Sequence, residues 1–184
     1  MLAVCKISEG VGGIAVEERE PRDPEAKEIL VKVAAAGICG TDIQIYQWAP
    51  RMARRMRLPR VLGHEVCGYV VKVGKGVSNV IVGDYISLES HVYCGNCKQC
   101  RRGNEHLCIN TTYPGIDFDG CFAEFITVPS QIAWKNPKDM PIEVAAMMEP
   151  FGISVHATLA GSGVAGRTVM INGCGPIGLM NVAA

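Results

Sequence analysis

Cys94-Gly-Asn-Cys97-Lys-Gln-Cys100-Arg-Arg-Gly-Asn-Glu-His-Leu-Cys108 puts four cysteines into 15 residues. Four thiolates at this spacing close a tetrahedral zinc shell with no open position, which is the structural kind of site. Lys98, Arg101 and Arg102 lie between the ligands and offset the negative charge that four thiolates leave on one divalent ion. An iron–sulfur cluster is the rival, since the spacing loosely resembles ferredoxin runs. Nothing else in the chain asks for electron transfer, so zinc is favoured. The chain's nine cysteines are an odd number, which disfavours a closed disulfide set. Clustered thiols in a reducing compartment hold metal more often than they pair.

Outward from this lobe, set at residues 91–110, the pattern is of short strands and turns. Ile14 and Val16 alternate with polar neighbours, and Pro21-Arg-Asp-Pro24 breaks the chain. Glu28 to Val33 is apolar on one face, as a half-buried strand is. Thr41-Asp42 reads as the cap of a short helix through Ile45 and Tyr46. Strands are expected at Tyr69–Val73, Tyr85–Leu88, Phe122–Val128 and Ile132–Trp134. Pro141 to Met148 turns helical, with the proline suited to a first turn. Gly152 to Ala160 reads as a helix ended by Gly161-Ser-Gly163, and Thr168 to Asn172 as a buried strand. The boundary falls near residue 150 and divides the chain into 1–152 and 153–184.

Lys+Arg and Asp+Glu both total 18, a balance that argues against a nucleic-acid binder. The N-terminus carries a charge and a glycine too early for a secretory signal. No apolar run approaches the roughly 20 residues of a membrane helix. A soluble, cytoplasmic protein with no membrane partner is expected.

A second metal site is implied by Cys39 with Gly63-His64-Glu65. Alone, a cysteine is usually a small core hydrophobe. Cys39, His64 and one carboxylate would neutralise a zinc ion and leave a place for water or substrate, as a catalytic site requires. Glu65 and Glu149 both compete for the carboxylate position. Gly173-x-Gly175-Pro176-Ile177-Gly178 directly follows the last expected strand. In that context it is a dinucleotide fingerprint, with backbone N–H groups facing a pyrophosphate at a helix N-terminus.

Together these motifs resemble the zinc-containing medium-chain dehydrogenase/reductase superfamily over essentially the whole chain. The stretches that carry the resemblance are Ile38-Cys-Gly-Thr-Asp42, Gly63-His-Glu65, the four-cysteine run, Gly120-Cys-Phe-Ala-Glu-Phe125 and Glu149-Pro-Phe-Gly152. Ile45-Tyr-Gln-Trp48 is similar to the threonine dehydrogenase branch. The resemblance implies a mixed α/β chain: a GroES-like β-barrel catalytic domain with a zinc lobe, then the truncated start of a Rossmann domain. It implies two zinc ions, one catalytic on Cys39, His64 and Glu65, with Glu149 able to touch it, and one structural. It also implies NAD or NADP in the full-length protein, a small alcohol as substrate, and a homo-oligomer, dimer or tetramer. Thr41 would pass the alcohol's proton outward.

The family relay usually continues to a histidine three residues after that threonine, where this chain has Gln44. Glutamine cannot take up a proton near neutral pH. The relay then runs through water, or His91 takes over, or the alcohol differs; His91 reads equally as a hydrogen bonder of the lobe. The basic run Arg51-Met-Ala-Arg-Arg-Met-Arg57, with Arg60 beyond, is a solvated face or subunit contact, or it holds an arginine for a substrate carboxylate or phosphate. A polyol or diol dehydrogenase of the sorbitol or 2,3-butanediol type is the enzyme alternative, and a zinc-stabilised binding module the non-enzyme one. The residue that separates NAD from NADP would lie about 20 residues past the glycine motif, beyond Ala184. The 184-residue chain alone is expected to lack turnover.

Overall fold

Alternating apolar residues at Ile29 and Val31, both fully buried, start the longest strand of the molecule. In the computed structural model, which describes every residue but Ser162, this strand is β3 (Glu28–Gly37). It lies between β5 (Glu65–Val73) and β7 (Phe125–Pro129) in a five-stranded antiparallel sheet completed by β6 (Tyr85–Leu88) and β8 (Ala133–Lys135), in the order β7-β3-β5-β6-β8. Two register shifts in the β3–β5 pairing, at Leu30/Val31 and Val33/Ala35, bend the sheet as bulges do. A second sheet holds β1 (Leu2–Lys6), β2 (Ile14–Glu18) and β4 (Arg60–Val61) in the order β2-β1-β4. Ile29, Val31, Val66, Ile86, Ile126 and Val128 face one another in the main core.

Two short helices follow β3: α1 (Gly40–Tyr46) and α2 (Pro50–Arg55). They sit on a smaller core of Ile45, Met52, Met56, Leu62 and Ile116. The Thr41-Asp42 cap is displaced: Cys39 is the N-cap, and Asp42, three residues on, accepts its N–H at 2.8 Å. An acidic residue at the third helical position reaches back to the orphan donor in this way.

The expected helix at Pro141–Met148 is shorter, α3 (Ile142–Ala146), with Pro141 as its N-cap. The next helix begins at Met148, before the expected Gly152, and runs to Leu159 as α4. Pro150 falls in its first turn, where the missing N–H costs nothing. Of the turn expected at Gly161-Ser-Gly163, Ser162 lies outside the described residues. The strand expected at Phe122–Val128 begins later, at Phe125.

Thr168–Asn172 does not form a strand. It joins neither sheet, and Val169 and Met170 are 51% and 91% exposed. A buried parallel strand needs neighbours on both sides, and among the described residues none pairs with it. The last helix, α5 (Pro176–Ala183), packs on α4 through Thr158–Asn181 and Ser154–Ile177 hydrogen bonds. No helix of the described residues is long and apolar enough to cross a membrane.

Candidate metal centres and the pocket between strand ends

The four cysteines of the lobe converge. Sulfur separations are 3.5 Å for Cys97–Cys100, 3.6 Å for Cys94–Cys108 and 4.0 Å for Cys97–Cys108, and all four atoms lie within 4.8 Å of one another. A tetrahedral ion with metal–sulfur bonds of about 2.3 Å sets its sulfurs about 3.8 Å apart. The set therefore fits one ion and leaves no room for the inorganic core of a cluster. Amide donors stand ready for thiolates: Cys94 N–H and Asn110 N–H each donate to the Cys108 sulfur, and the Asn110 side chain donates to Cys94. The Asn96 backbone and this Asn110 amide bring the Cys94 thiol down to about 6. Between 91 and 110 only Cys100 and Cys108 are buried, and the segment's regular structure is two 3₁₀ turns of three residues. A segment without its own core needs a cross-link to stay ordered.

The second cluster is built by strand pairing. Gly37, the last residue of β3, is opposite Glu65, the first of β5. Cys39 follows one strand end and His64 precedes the other, so residues 25 apart in sequence become neighbours. One ligand atom from each of Cys39, His64 and Glu65 lies within 4.8 Å of the others. At Gly37 a Cβ would press on the Glu65 carboxylate and displace it from its place in the cluster. Gly63 is required: its φ is +90°, and a Cβ would strike the Phe122 ring. Antiparallel β6 ends at the same edge and delivers Glu89, Ser90 and His91 beside them. The first turn of α4 adds Glu149, whose Oε1 accepts the Ser90 hydroxyl at 2.5 Å.

The charge balance of this group would suit a bound cation. The Cys39 thiol is held below its ordinary value, first by the His64 imidazole and also by Thr41, which hydrogen-bonds through backbone and side chain. Burial disfavours the His64 imidazolium, but the Cys39 sulfur and the charges of Asp42, Cys39 and Glu149 outweigh it and push the value up. Burial and then the Glu149 charge push Glu65 up. Buried His64 Nδ1 and Asp42 Oδ1 have no hydrogen-bond partner among the described residues. Two crowded carboxylates beside a thiol and an imidazole are costly unless a positive charge sits among them.

These residues open on a pocket of about 330 Å³. Thr41, Gln44, His91 and Glu149 line it with the three clustered donors, and Ile177 of α5 reaches its edge. His91 Nδ1 is engaged by the Glu89 carboxylate, which raises the imidazole's pKa, and its ring stands edge-on to Tyr113 at 5.0 Å. Gly173, Gly175 and Gly178 lie at the start of α5, with Gly175 as N-cap, Pro176 first in the helix and Gly173 at φ +114°. A Cβ on Gly178 would run into the Gly173 carbonyl. Sequence reading missed Glu89 and Ser90, for which no motif gave a signal, and took Asp42 only as a cap residue although it is the buried carboxylate whose charge acts on His64.

The sequence profile of the alcohol dehydrogenase GroES-like domain matches residues 25–138. The chain belongs to this family. L-threonine 3-dehydrogenase of Pyrococcus horikoshii is 47% identical over 183 residues, covering 100% of this chain and 52% of the relative. The chain thus spans about half the length of the curated relatives it matches. A crystal structure described as a short chain alcohol dehydrogenase from Escherichia coli CFT073 with NADH is 37% identical, with a TM-score of 0.88 over 99% of this chain and 52% of that one. Galactitol-1-phosphate dehydrogenase from Escherichia coli is 32% identical, with a TM-score of 0.89 over 99% and 51%. The matched span covers the whole five-stranded sheet and includes both ligand clusters.

Proposed function

We propose that this chain supplies the metal-holding half of a zinc-dependent, NAD(P)-linked dehydrogenase that oxidises a secondary alcohol to a ketone, of the L-threonine 3-dehydrogenase type. The observation that carries the reading is a cluster of three donors, Cys39, His64 and Glu65, opening on a pocket, where the lobe has four and no opening. Three protein ligands and a free position suit a metal that must meet substrate. Identity of 47% to a threonine dehydrogenase supports the substrate.

In this reading the lobe cysteines hold a structural zinc, and Cys39, His64 and Glu65 hold a catalytic one, with Glu149 in reserve behind Ser90. A bound zinc would act as a Lewis acid that favours the alkoxide form of the alcohol. NAD or NADP, its pyrophosphate at Gly173, Gly175, Pro176, Ile177 and Gly178, would accept the hydride. Thr41 lies beside Cys39 in the pocket and offers its hydroxyl to the leaving proton. Gln44 can pass a hydrogen bond but not keep a proton. His91, steadied by Glu89, is the pocket group able to take it up near neutral pH. The division at 152/153, a homo-oligomeric assembly and a cytoplasmic location belong to the same proposal.

A polyol or diol substrate is the second reading, favoured by the fold match to galactitol-1-phosphate dehydrogenase. Assays of NAD(P) reduction by the full-length protein with L-threonine, sorbitol and 2,3-butanediol separate the two. Threonine as the preferred substrate, abolished by Cys39→Ser, is the expected result. Turnover surviving Cys39→Ser would refute the assigned ligand set, and a single inert zinc per chain would refute the proposal and favour a zinc-stabilised binding module.

A further inference from the structure

Two arginines of the basic run, Arg51 and Arg55, line the pocket, and their surroundings differ. Arg55 is fully engaged. It makes a paired contact with Asp117 at 2.8 and 2.6 Å, donates to the Thr111 carbonyl at 3.1 Å, and lies over the Tyr113 ring at 4.9 Å. Asp117 is in turn held by the Tyr113 N–H at 2.8 Å. Arg55 is thus a strut between α2 and the loop after the lobe. Arg51, one turn earlier on α2, makes no ion pair and no side-chain hydrogen bond among the described residues. Arg51, Arg54 and Arg57 are all exposed, and of the three only Arg51 lines the pocket.

The pocket lining carries both signs of charge. Its anionic groups, Cys39, Glu65 and Glu149, gather where the strand ends meet. Its uncompensated cation comes from α2. A guanidinium that no described residue pairs with, on the wall of a site for a hydroxyl group, suits a ligand carrying a carboxylate or phosphate.

We propose that Arg51 is a specificity-determining residue that receives the anionic group of the substrate, so that the pocket takes hydroxy compounds bearing an oxyanion in preference to neutral alcohols. The inference rests on the proposed alcohol site and narrows its substrate class. A carboxylate on a hydroxy amino acid and a phosphate on a polyol present the same chemistry to a guanidinium.

The test uses the zinc-loaded 184-residue chain, labelled with nitrogen-15, titrated separately with L-threonine, glycerol 3-phosphate and 2,3-butanediol. At least one anionic compound shifts the Arg51 side-chain N–H signal and binds more tightly than butanediol. Arg51→Met weakens that binding about tenfold or more, the scale of one lost charge-assisted hydrogen bond, and leaves butanediol binding unchanged. Arg51→Lys recovers part of the affinity, and Arg54→Met changes nothing. Preference for threonine identifies a carboxylate ligand and preference for glycerol 3-phosphate a phosphate, and both support the proposal. Unchanged anion binding in Arg51→Met, or equal weakening of butanediol, overturns it. If alcohols perturb Cys39 and His64 while Arg51 is silent, the arginine's role alone is refuted. If no alcohol perturbs that cluster, the alcohol site fails and this proposal fails with it.

Discussion

Gly63→Ala is the substitution whose consequences are most fully fixed by the geometry. Gly63 has φ +90°, and its backbone is enclosed: Cys121 N–H donates to its carbonyl at 3.0 Å, Gly115 and Gly120 pack against it, and Phe122 covers the space a Cβ would fill. Holding an L-residue at positive φ costs about 1–2 kcal/mol. Forcing a methyl into a packed ring adds about 1–3 kcal/mol. The sum, about 2–5 kcal/mol, is an upper range, because one backbone shift relieves both. Phe122 packs in the main core and in the smaller core under α1 and α2, so little room exists for that shift. Urea denaturation should show a lower midpoint at unchanged m-value. The displaced backbone also carries His64, so zinc at the three-donor cluster should weaken while the lobe keeps its ion. In the double variant Gly63→Ala/Phe122→Ala the ring is gone, and the loss should fall short of the sum of the singles. A Gly63→Ala protein within about 0.5 kcal/mol of the parent, or strict additivity in the double, would refute the reasoning.

Cys108→Ser removes one of four lobe ligands. Structural zinc is held by about 10–16 kcal/mol in small zinc domains, roughly 2.5–4 kcal/mol per ligand, so chelator competition should show zinc bound about 100- to 1,000-fold more weakly. Hydrogen exchange should speed up across 94–108 and leave β3, β5 and β6 unchanged. Glu89→Gln should return the His91 pKa toward its ordinary 6.5, since Glu89 is the largest cause of its rise; imidazole titration by NMR reads this, and an unmoved value would deny the pairing. Arg22 holds Glu28 below its ordinary 4.5 through a paired contact at 2.7 Å. A depressed carboxylate stabilises the fold above about pH 4.5 and loses that contribution as pH falls through the lowered value. Glu28→Gln should therefore cost stability at neutral pH and flatten the acid limb of the denaturation profile, and parallel profiles would contradict the pairing.

Legibility in the sequence followed the range of the interaction that decides each feature. The zinc lobe was readable because its four ligands are close in the chain and need only a loop to converge. Cys39 and His64 were readable only as parts of a motif set. Their proximity comes from the Gly37–Glu65 pairing of β3 with β5, which no local pattern encodes. Ser90 and Glu89 gave no signal, since their value depends on where α4 delivers Glu149 and on the turn after β6. Thr168–Asn172 shows the opposite error. Its apolar run has the composition of a buried strand, but burial is conferred by neighbours, and the chain pairs none with it. The helix expected from Gly152 begins at Met148 instead, because a proline in a first turn breaks no hydrogen bond.

The central claim is that one chain carries two metal centres of different kinds. Zinc-edge X-ray absorption on protein of measured zinc content tests it most directly. Two zincs per chain are predicted, one with four sulfurs and one with sulfur, nitrogen and oxygen, which averages to between two and three sulfurs per zinc. Cys39→Ser should remove one zinc and raise that average to about four. A single zinc with sulfur ligands only, unchanged by Cys39→Ser, would contradict the account.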